Sequence, residues 1–385
     1  MNKTVAIITQ NKFPRGDAGS LRLEAFAKIL IDNNYDVEVY SLSKCSNFNF
    51  QSFNGIKYVS LRYEGFSKLS AVKTHLLFKR NLKSFIHKKH YDYIIFTELQ
   101  QNTSLYLKKY AKRNNSKLFY DCVEWYSSCE FKNGIFNRNY IKKNYYNSRF
   151  TDKNINVISI SSYLNNYFLN KKIKTINIPV ILPDCYKMNI TSGENNELNL
   201  IYCGSPFGKD DLRIVIESLL EINKTIIKKI KLNVVGVTLE QAITNKIITN
   251  DEKMLLNDSI CFKGRLSHEK VLEEYSKADF SILMRPINER YSKAGFPTKF
   301  VESLQNSVPV ITNLSSDLNR YLINKVNGIV VNDYDKDSLV VALNTALKLS
   351  QEEIVSIKKQ AYETFMKEFY YKNYETIFLA FMKDC

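Results

Sequence analysis

Leu198-Asn-Leu-Ile-Tyr-Cys-Gly-Ser-Pro-Phe-Gly-Lys-Asp-Asp211 decides how this chain is organised. Its first six residues form a short apolar run of the kind that makes a buried strand. A turn holding Gly204 and Gly208 follows, and then the amphipathic segment Leu212–Ile222. The same grammar opens the chain, where the run Val5–Thr9 leads through the turn at 13–20 into the helical Leu21–Asp32. A strand–turn–helix series therefore begins twice.

Working outward, strands are expected at Val37–Ser41, Tyr93–Thr97, Leu118–Asp121 and Val157–Ile160 in the first series. The second adds Leu232–Val237, Ser259–Lys263, Phe280–Leu283, Val308–Thr312 and Ile329–Val331. Helical patterns such as Glu269–Lys277 and Ser338–Leu349 fall between them. Apolar strands alternating with helices predict parallel sheets with right-handed crossovers. Ile178-Pro-Val-Ile-Leu-Pro-Asp184 and the polar stretch after it read as a linker. The fold class is α/β, with two Rossmann-like doubly wound domains. Residues 1–183 form the first, 184–197 join them, and 198–365 form the second. A helix at 366–385 is expected to pack back on the first domain. Ligands of such sheets bind beyond the carboxyl ends of the strands, so the cleft between two facing domains is the expected site.

The charge is divided as unevenly as the strands are evenly. The 385 residues carry 55 Lys+Arg against 39 Asp+Glu, a formal net of +16. Residues 1–183 hold 29 and 12 of these, a net of +17, while 184–385 are close to neutral. A Lys/Asn/Ile-rich composition would spread charge over both halves, so the asymmetry points to an anionic partner of the first domain. The seven cysteines form no C-x-x-C pair and read as reduced thiols. The apolar run before Gln10 is too short for a signal peptide, and no stretch approaches a membrane span. A cytoplasmic protein is expected, peripheral at most to the inner face of the plasma membrane.

Four segments carry chemistry. Phe13-Pro-Arg-Gly-Asp-Ala-Gly-Ser-Leu-Arg22 has Gly16 and Gly19 at a helix start, where unpaired N–H groups suit a phosphate. It is neither G-x-G-x-x-G nor a Walker loop. In the second loop, Lys209 reaches toward a pyrophosphate as a point charge, and Asp210 and Asp211 are expected to cap the next helix. In Phe262-Lys-Gly-Arg-Leu-Ser-His-Glu269, Arg265 leaves a strand end with a fork suited to phosphate, and His268 reads as a surface residue. In Tyr291-Ser-Lys-Ala-Gly-Phe-Pro-Thr-Lys-Phe-Val-Glu-Ser-Leu304, the turn Gly295-Phe296-Pro297 precedes a short helix from Thr298. Lys299 and Glu302 stand three apart on that helix, a cation for phosphate beside a carboxylate for sugar hydroxyls.

Taken in order, Gly264-Arg265, Ala278-Asp279, Gly295-Phe-Pro-Thr-Lys299, Val301-Glu302 and Val308-Pro-Val-Ile311 resemble the GT-B glycosyltransferases, family 4-like and of the capsule or cell-surface polysaccharide type. The loop at 14–22, Asp121-Cys-Val-Glu-Trp125 and Ser159-Ile-Ser-Ser-Tyr-Leu164 are similar to that family's acceptor half. The resemblance implies a hexosyltransferase-type enzyme that uses a nucleotide-sugar as co-substrate, UDP-linked before GDP-linked, with no cofactor and no metal. It implies that Glu302 binds the donor ribose and that Lys209 and Arg265 hold the leaving diphosphate. Gly204, Ser205 and Gly295, Phe296, Pro297 and Thr298 would line the donor, with Lys299 adding charge. Gly19 would cap the donor phosphate from the other domain. Two departures stand out: Ala294 occupies the place of the first glutamate of the E-x7-E element, and Ser205 that of an arginine. These leave sugar identity and the retaining or inverting course open, and they motivate one rival, a catalytically weak or inactive accessory or binding subunit. A second, a GT-B-type sugar epimerase, needs internal acids on both faces of the sugar, which the four scattered histidines and the missing glutamate do not favour.

A transfer needs an acceptor hydroxyl deprotonated as well as a diphosphate neutralised. Glu124, just past a strand, is the candidate base, with Asp121 and Trp125 completing an acceptor pocket. Asp333-Tyr-Asp335 reads as helix capping. Between Lys57 and Lys117 there are 14 Lys+Arg and three acids, and Phe131–Phe150 mixes five more cations with tyrosines. If Phe78–Lys89 is helical, its apolar and basic residues separate to opposite sides, as in membrane-surface helices. The expected partners are a nucleotide-sugar, a lipid-linked or glycan acceptor and an anionic membrane met by the first domain. No nucleic-acid module is recognisable.

Overall fold

Runs of β-branched and aromatic residues bounded by turn residues set the sheets. The computed structural model describes residues 2–14, 18–45, 47–63, 71–186, 197–223, 230–257 and 259–385. They fall into two units, Met1–Asp184 with Tyr370–Cys385 and Cys185–Phe369.

The first unit runs β1 (Thr4–Thr9), α1 (Ala18–Asp32), β2 (Asp36–Cys45), β3 (Gln51–Phe53), β4 (Ile56–Tyr63), α2 (Ala71–Ile86), β5 (Tyr93–Phe96), α3 (Gln101–Asn114), β6 (Lys117–Cys122), α4 (Arg138–Tyr145), β7 (Asn156–Ser159), α5 (Ser162–Asn170) and β8 (Thr175–Asn177). Its sheet has the order β3-β4-β2-β1-β5-β6-β7-β8. The described pairings are parallel except β3 with β4. That antiparallel pair was absent from the expected strands, although Asn54-Gly55 joins it with φ of +49° and +78°. Positive φ at both central residues is the turn whose twist matches a hairpin.

The second unit runs β9 (Leu198–Cys203), α6 (Leu212–Asn223), β10 (Ile230–Val235), α7 (Leu239–Thr244), α8 (Asn250–Leu255), β11 (Ile260–Gly264), α9 (His268–Lys277), β12 (Phe280–Leu283), α10 (Arg290–Ala294), α11 (Thr298–Gln305), β13 (Val310–Asn313), β14 (Gly328–Val331), α12 (Lys336–Leu347) and α13 (Gln351–Glu368). The order β11-β10-β9-β12-β13-β14 is parallel throughout its described pairings. Its strand order reverses between β9 and β12, the place where doubly wound sheets hold ligands.

The last helix, α14 (Glu375–Asp384), belongs to the first unit. Phe378 stacks on Phe26 of α1 at 4.8 Å, and Phe381 meets Phe119 of β6 at 5.8 Å. The chain changes unit between Phe369 and Tyr370, a few residues later than position 365. The reason is that α13 runs on to Glu368, and Phe365 and Phe369 are fully buried in the second unit, Phe369 against Phe296, Phe300 and Tyr321.

Candidate functional site

Three adjacent strands of the second unit end in glycine. Gly204 follows β9, Gly236 follows β10 and Gly264 ends β11, with φ of +135°, +109° and +63°. Backbone bonds lace them together: Gly204 N–H donates to Val235 O at 2.8 Å, and Gly236 N–H to Gly264 O at 2.7 Å. A Cβ at Gly236 would meet Gly204 O at 2.5 Å, so only glycine lets these turns approach. Gly236 was not among the expected residues. The φ it needs is invisible in sequence, although its place just past a strand was a usable signal.

One carboxylate organises the loop after β9. Asp210 accepts from Arg285 Nε at 2.7 Å, from the Tyr202 hydroxyl at 3.1 Å and from Lys299 Nζ. Those two cations overcome the burial of Asp210 and hold its carboxyl at about 2. This corrects the expected capping role. Asp211 is the capping residue, its Oδ1 accepting from Arg213 N and Ile214 N at 3.0 and 3.3 Å. The arrangement also alters Lys299. Its stem lies across Gly204, where a Cβ would fall 2.0 Å from Lys299 Cε, and its charge is matched by Asp210. Within this trio, two cations against one aspartate leave one net positive charge.

Helix α11 points its first turn into the same region. Its N-terminal flank is Pro297, which supplies no capping side chain, so Thr298 and Lys299 begin the helix with N–H groups suited to an anion. Glu302 lies one turn on. Burial, opposed by Lys299, raises its carboxyl to about 7, and burial with the Glu302 charge beside it pushes the Cys203 thiol up to about 11. Arg265 is exposed, and among the described residues no carboxylate pairs with it. Lys209 is half-buried and Ser205 exposed on the same loop. Phe296 is different. Its ring is buried among Phe300, Tyr321 and Phe369 and anchors Gly295 and Pro297, so the expected donor contact of this residue falls to its backbone N–H. Asp335 caps α12 through a 2.7 Å bond from Ser338 N. Among the described residues no cluster of three or more His, Cys, Asp or Glu could hold a metal ion.

In the first unit the expected acceptor residues are spoken for. Asp121 is buried against Arg22, whose Nε donates to it at 3.0 and 3.2 Å. Trp125 is buried, donating from Nε1 to Asn144 at 2.9 Å and packing on Tyr167 at 4.4 Å. Both side chains are thus tied into the framework of the unit. Glu124 stays half-buried, and its carboxylate lies close enough to Glu98 to help burial raise the Glu98 pKa. Lys143, 3.4 Å from Glu98 and 3.7 Å over the Tyr126 ring, opposes that rise. Glu98 follows β5 as Glu124 follows β6, and that parallel placement was the missed signal. Gly19 sits half-buried in the first turn of α1. Gly16 lies outside the described residues.

Residues 190–364 match the family model described as glycosyl transferases group 1. No curated protein sequence matches the chain. Among solved structures, a sucrose-phosphate synthase from Thermosynechococcus elongatus aligns with a TM-score of 0.77 at 14% identity, covering 100% of this chain and 99% of that one. Anabaena HepE in complex with UDP and glucose aligns with a TM-score of 0.66 at 14% identity, covering 100% of both. WaaG, a glycosyltransferase involved in lipopolysaccharide biosynthesis, gives 0.66 at 14% identity over 97% of this chain and 98% of that one. These likenesses are of fold, and the fold is GT-B.

Proposed function

We propose that this GT-B protein, with its group 1 glycosyltransferase segment, moves a sugar from a nucleotide-sugar donor to a lipid-linked or polysaccharide acceptor at the cytoplasmic membrane face. The observation that carries the reading is the convergence at the β9–β12 switch point. The glycine turns after β9, β10 and β11, the loops carrying Lys209 and Arg265, and the open start of α11 with Glu302 one turn on all lie at the carboxyl edge of this sheet. A UDP-linked hexose is the preferred donor, supported by the UDP and glucose held by HepE. WaaG, through its role in lipopolysaccharide biosynthesis, supports a lipid-linked glycan as acceptor.

In this reading the sugar departs from a diphosphate whose growing negative charge is met by Arg265, Lys209 and the first N–H groups of α11. Those are fixed charges and dipoles, so no divalent metal is assigned to the step. Glu302 accepts from the ribose hydroxyls, while Lys299 and Asp210 brace the loop that carries Lys209. Glu124 or its neighbour Glu98 takes the acceptor proton.

A thermal-shift panel of nucleotide-sugars followed by nucleotide release tests the reading. A UDP-hexose should stabilise the protein and be turned over, and Lys209→Ala and Glu302→Ala should each abolish turnover without loss of fold. Stabilisation by a donor with no release, with or without glycan acceptors, would favour the accessory-subunit reading instead.

A further inference from the structure

The groove between α2 and α3 takes no part in donor chemistry. It is a cavity of about 480 Å3 whose lining includes Lys79, Lys83, His87, Tyr106, Lys109 and Arg113. Lys79 with Lys83, and Lys109 with Arg113, are spaced four apart, so each pair shares a helix face. Lys83 Nζ lies 4.9 Å over the Tyr106 ring, and the Tyr106 hydroxyl is 2.9 Å from His87 Nε2, which fixes the floor. The lining holds no carboxylate, and among the described residues none of the four cations forms an ion pair. Unmatched like charges repel one another across such a groove, and an anion relieves that repulsion.

A second observation identifies the anion. The apolar side of α2 is used internally, with Phe78, Leu82 and Ile86 buried, so this helix does not insert as its amphipathic pattern suggested. Ile135, Phe136 and Ile141 do reach solvent, at 58%, 80% and 54% exposure, amid exposed Lys132, Arg138 and Lys142. That segment is tied to the start of α3, where Lys143 meets Glu98 at 3.4 Å and the Tyr146 hydroxyl meets Ser104 at 2.5 Å. A soluble polyanion has no use for exposed isoleucine and phenylalanine, whereas a bilayer interface does. We propose that the α2–α3 groove binds phosphate-bearing lipid headgroups and docks this unit on an anionic bilayer, with Ile135, Phe136 and Ile141 entering the interface.

The proposal rests on the membrane-face part of the functional reading and is independent of the donor site. The test is sedimentation of the full chain with phosphatidylcholine vesicles and with vesicles that also contain phosphatidylglycerol. Binding should require the anionic lipid, and each of Lys79→Ala, Lys83→Ala, Lys109→Ala and Arg113→Ala should weaken it about fivefold. Phe136→Ser should weaken the binding that survives at high salt, where the cations are screened. Lys348→Ala, an exposed cation of the second unit, should change nothing. Equal binding to both vesicle types overturns the proposal, and so does wild-type binding by the combined four-cation variant. It also falls if that variant loses affinity for soluble polyphosphate while vesicle binding is intact. Nucleotide release in solution, read on the same variants, separates this outcome from failure of the enzymatic reading.

Discussion

The strand ends of the two units invite comparison, because both close parallel sheets of the same kind yet offer different things to a ligand. In the second unit the site is built from backbone: three positive-φ glycines, an uncapped helix start and one buried aspartate that holds two cations in place. In the first unit the conspicuous polar residues face inward, Asp121 to Arg22 and Trp125 to Asn144, and half-buried Glu98 and Glu124 remain at the strand ends. A backbone-built site suits a diphosphate, whose geometry is the same in every nucleotide-sugar. A site that must recognise one acceptor depends on a few placed side chains.

The largest effects should come from the two buried ion-pair nodes, and they should differ in kind. Removing one partner of a buried pair costs about 3–5 kcal/mol. Asp210→Asn should therefore lower stability by several kcal/mol in urea unfolding and also raise the donor KM, since Lys299 and Arg285 lose their tie. Asp121→Asn should cost similar stability with donor KM unchanged; a matching rise in KM would erase the distinction between the units. The Asp210 contribution has a pH signature too. Its folded pKa is depressed to about 2, so the stabilisation is present above about pH 4 and is lost as the pH falls through 2.

Next in size, Glu302→Gln should lower kcat/KM for the donor about a hundredfold, the loss of charge-assisted bonds to two hydroxyls. Its titration sharpens the test. With the carboxyl raised to about 7, wild-type kcat/KM should fall about tenfold per pH unit below that value as the proton occupies an acceptor oxygen. The glutamine variant should be flat there. Gly236→Ala should cost about 1–3 kcal/mol from positive φ alone, with the Gly204 contact adding to it, measured as a shift in the denaturant midpoint. Smallest is Arg265→Ala, expected to lower kcat/KM for the donor about tenfold with stability unchanged, as an exposed cation would.

Much of the second unit was legible because its strands are apolar runs followed by glycine turns, and β9 and β12 match their expected spans. Lys209, Arg265 and Glu302 were singled out in the sequence because a phosphate and sugar hydroxyls call for those side chains. What escaped notice depended on three-dimensional neighbours. That Asp210 would meet Arg285 and Lys299, 75 and 89 residues along the chain, has no local trace. Gly236 looks ordinary until its distance to Gly204 is known. The amphipathic pattern of α2 was read correctly as a pattern, but periodicity cannot say whether an apolar face meets lipid or core, and here Phe78 and Leu82 meet core.

The return of Tyr370–Cys385 to the first unit sets an order of assembly. Phe378 and Met382 complete a core around Phe26 that residues 1–184 leave open. On the ribosome, the second unit is wholly synthesised before the first acquires its last wall. The first half must wait with an apolar face uncovered, and a fragment ending at 184 should need its last helix supplied as a separate peptide.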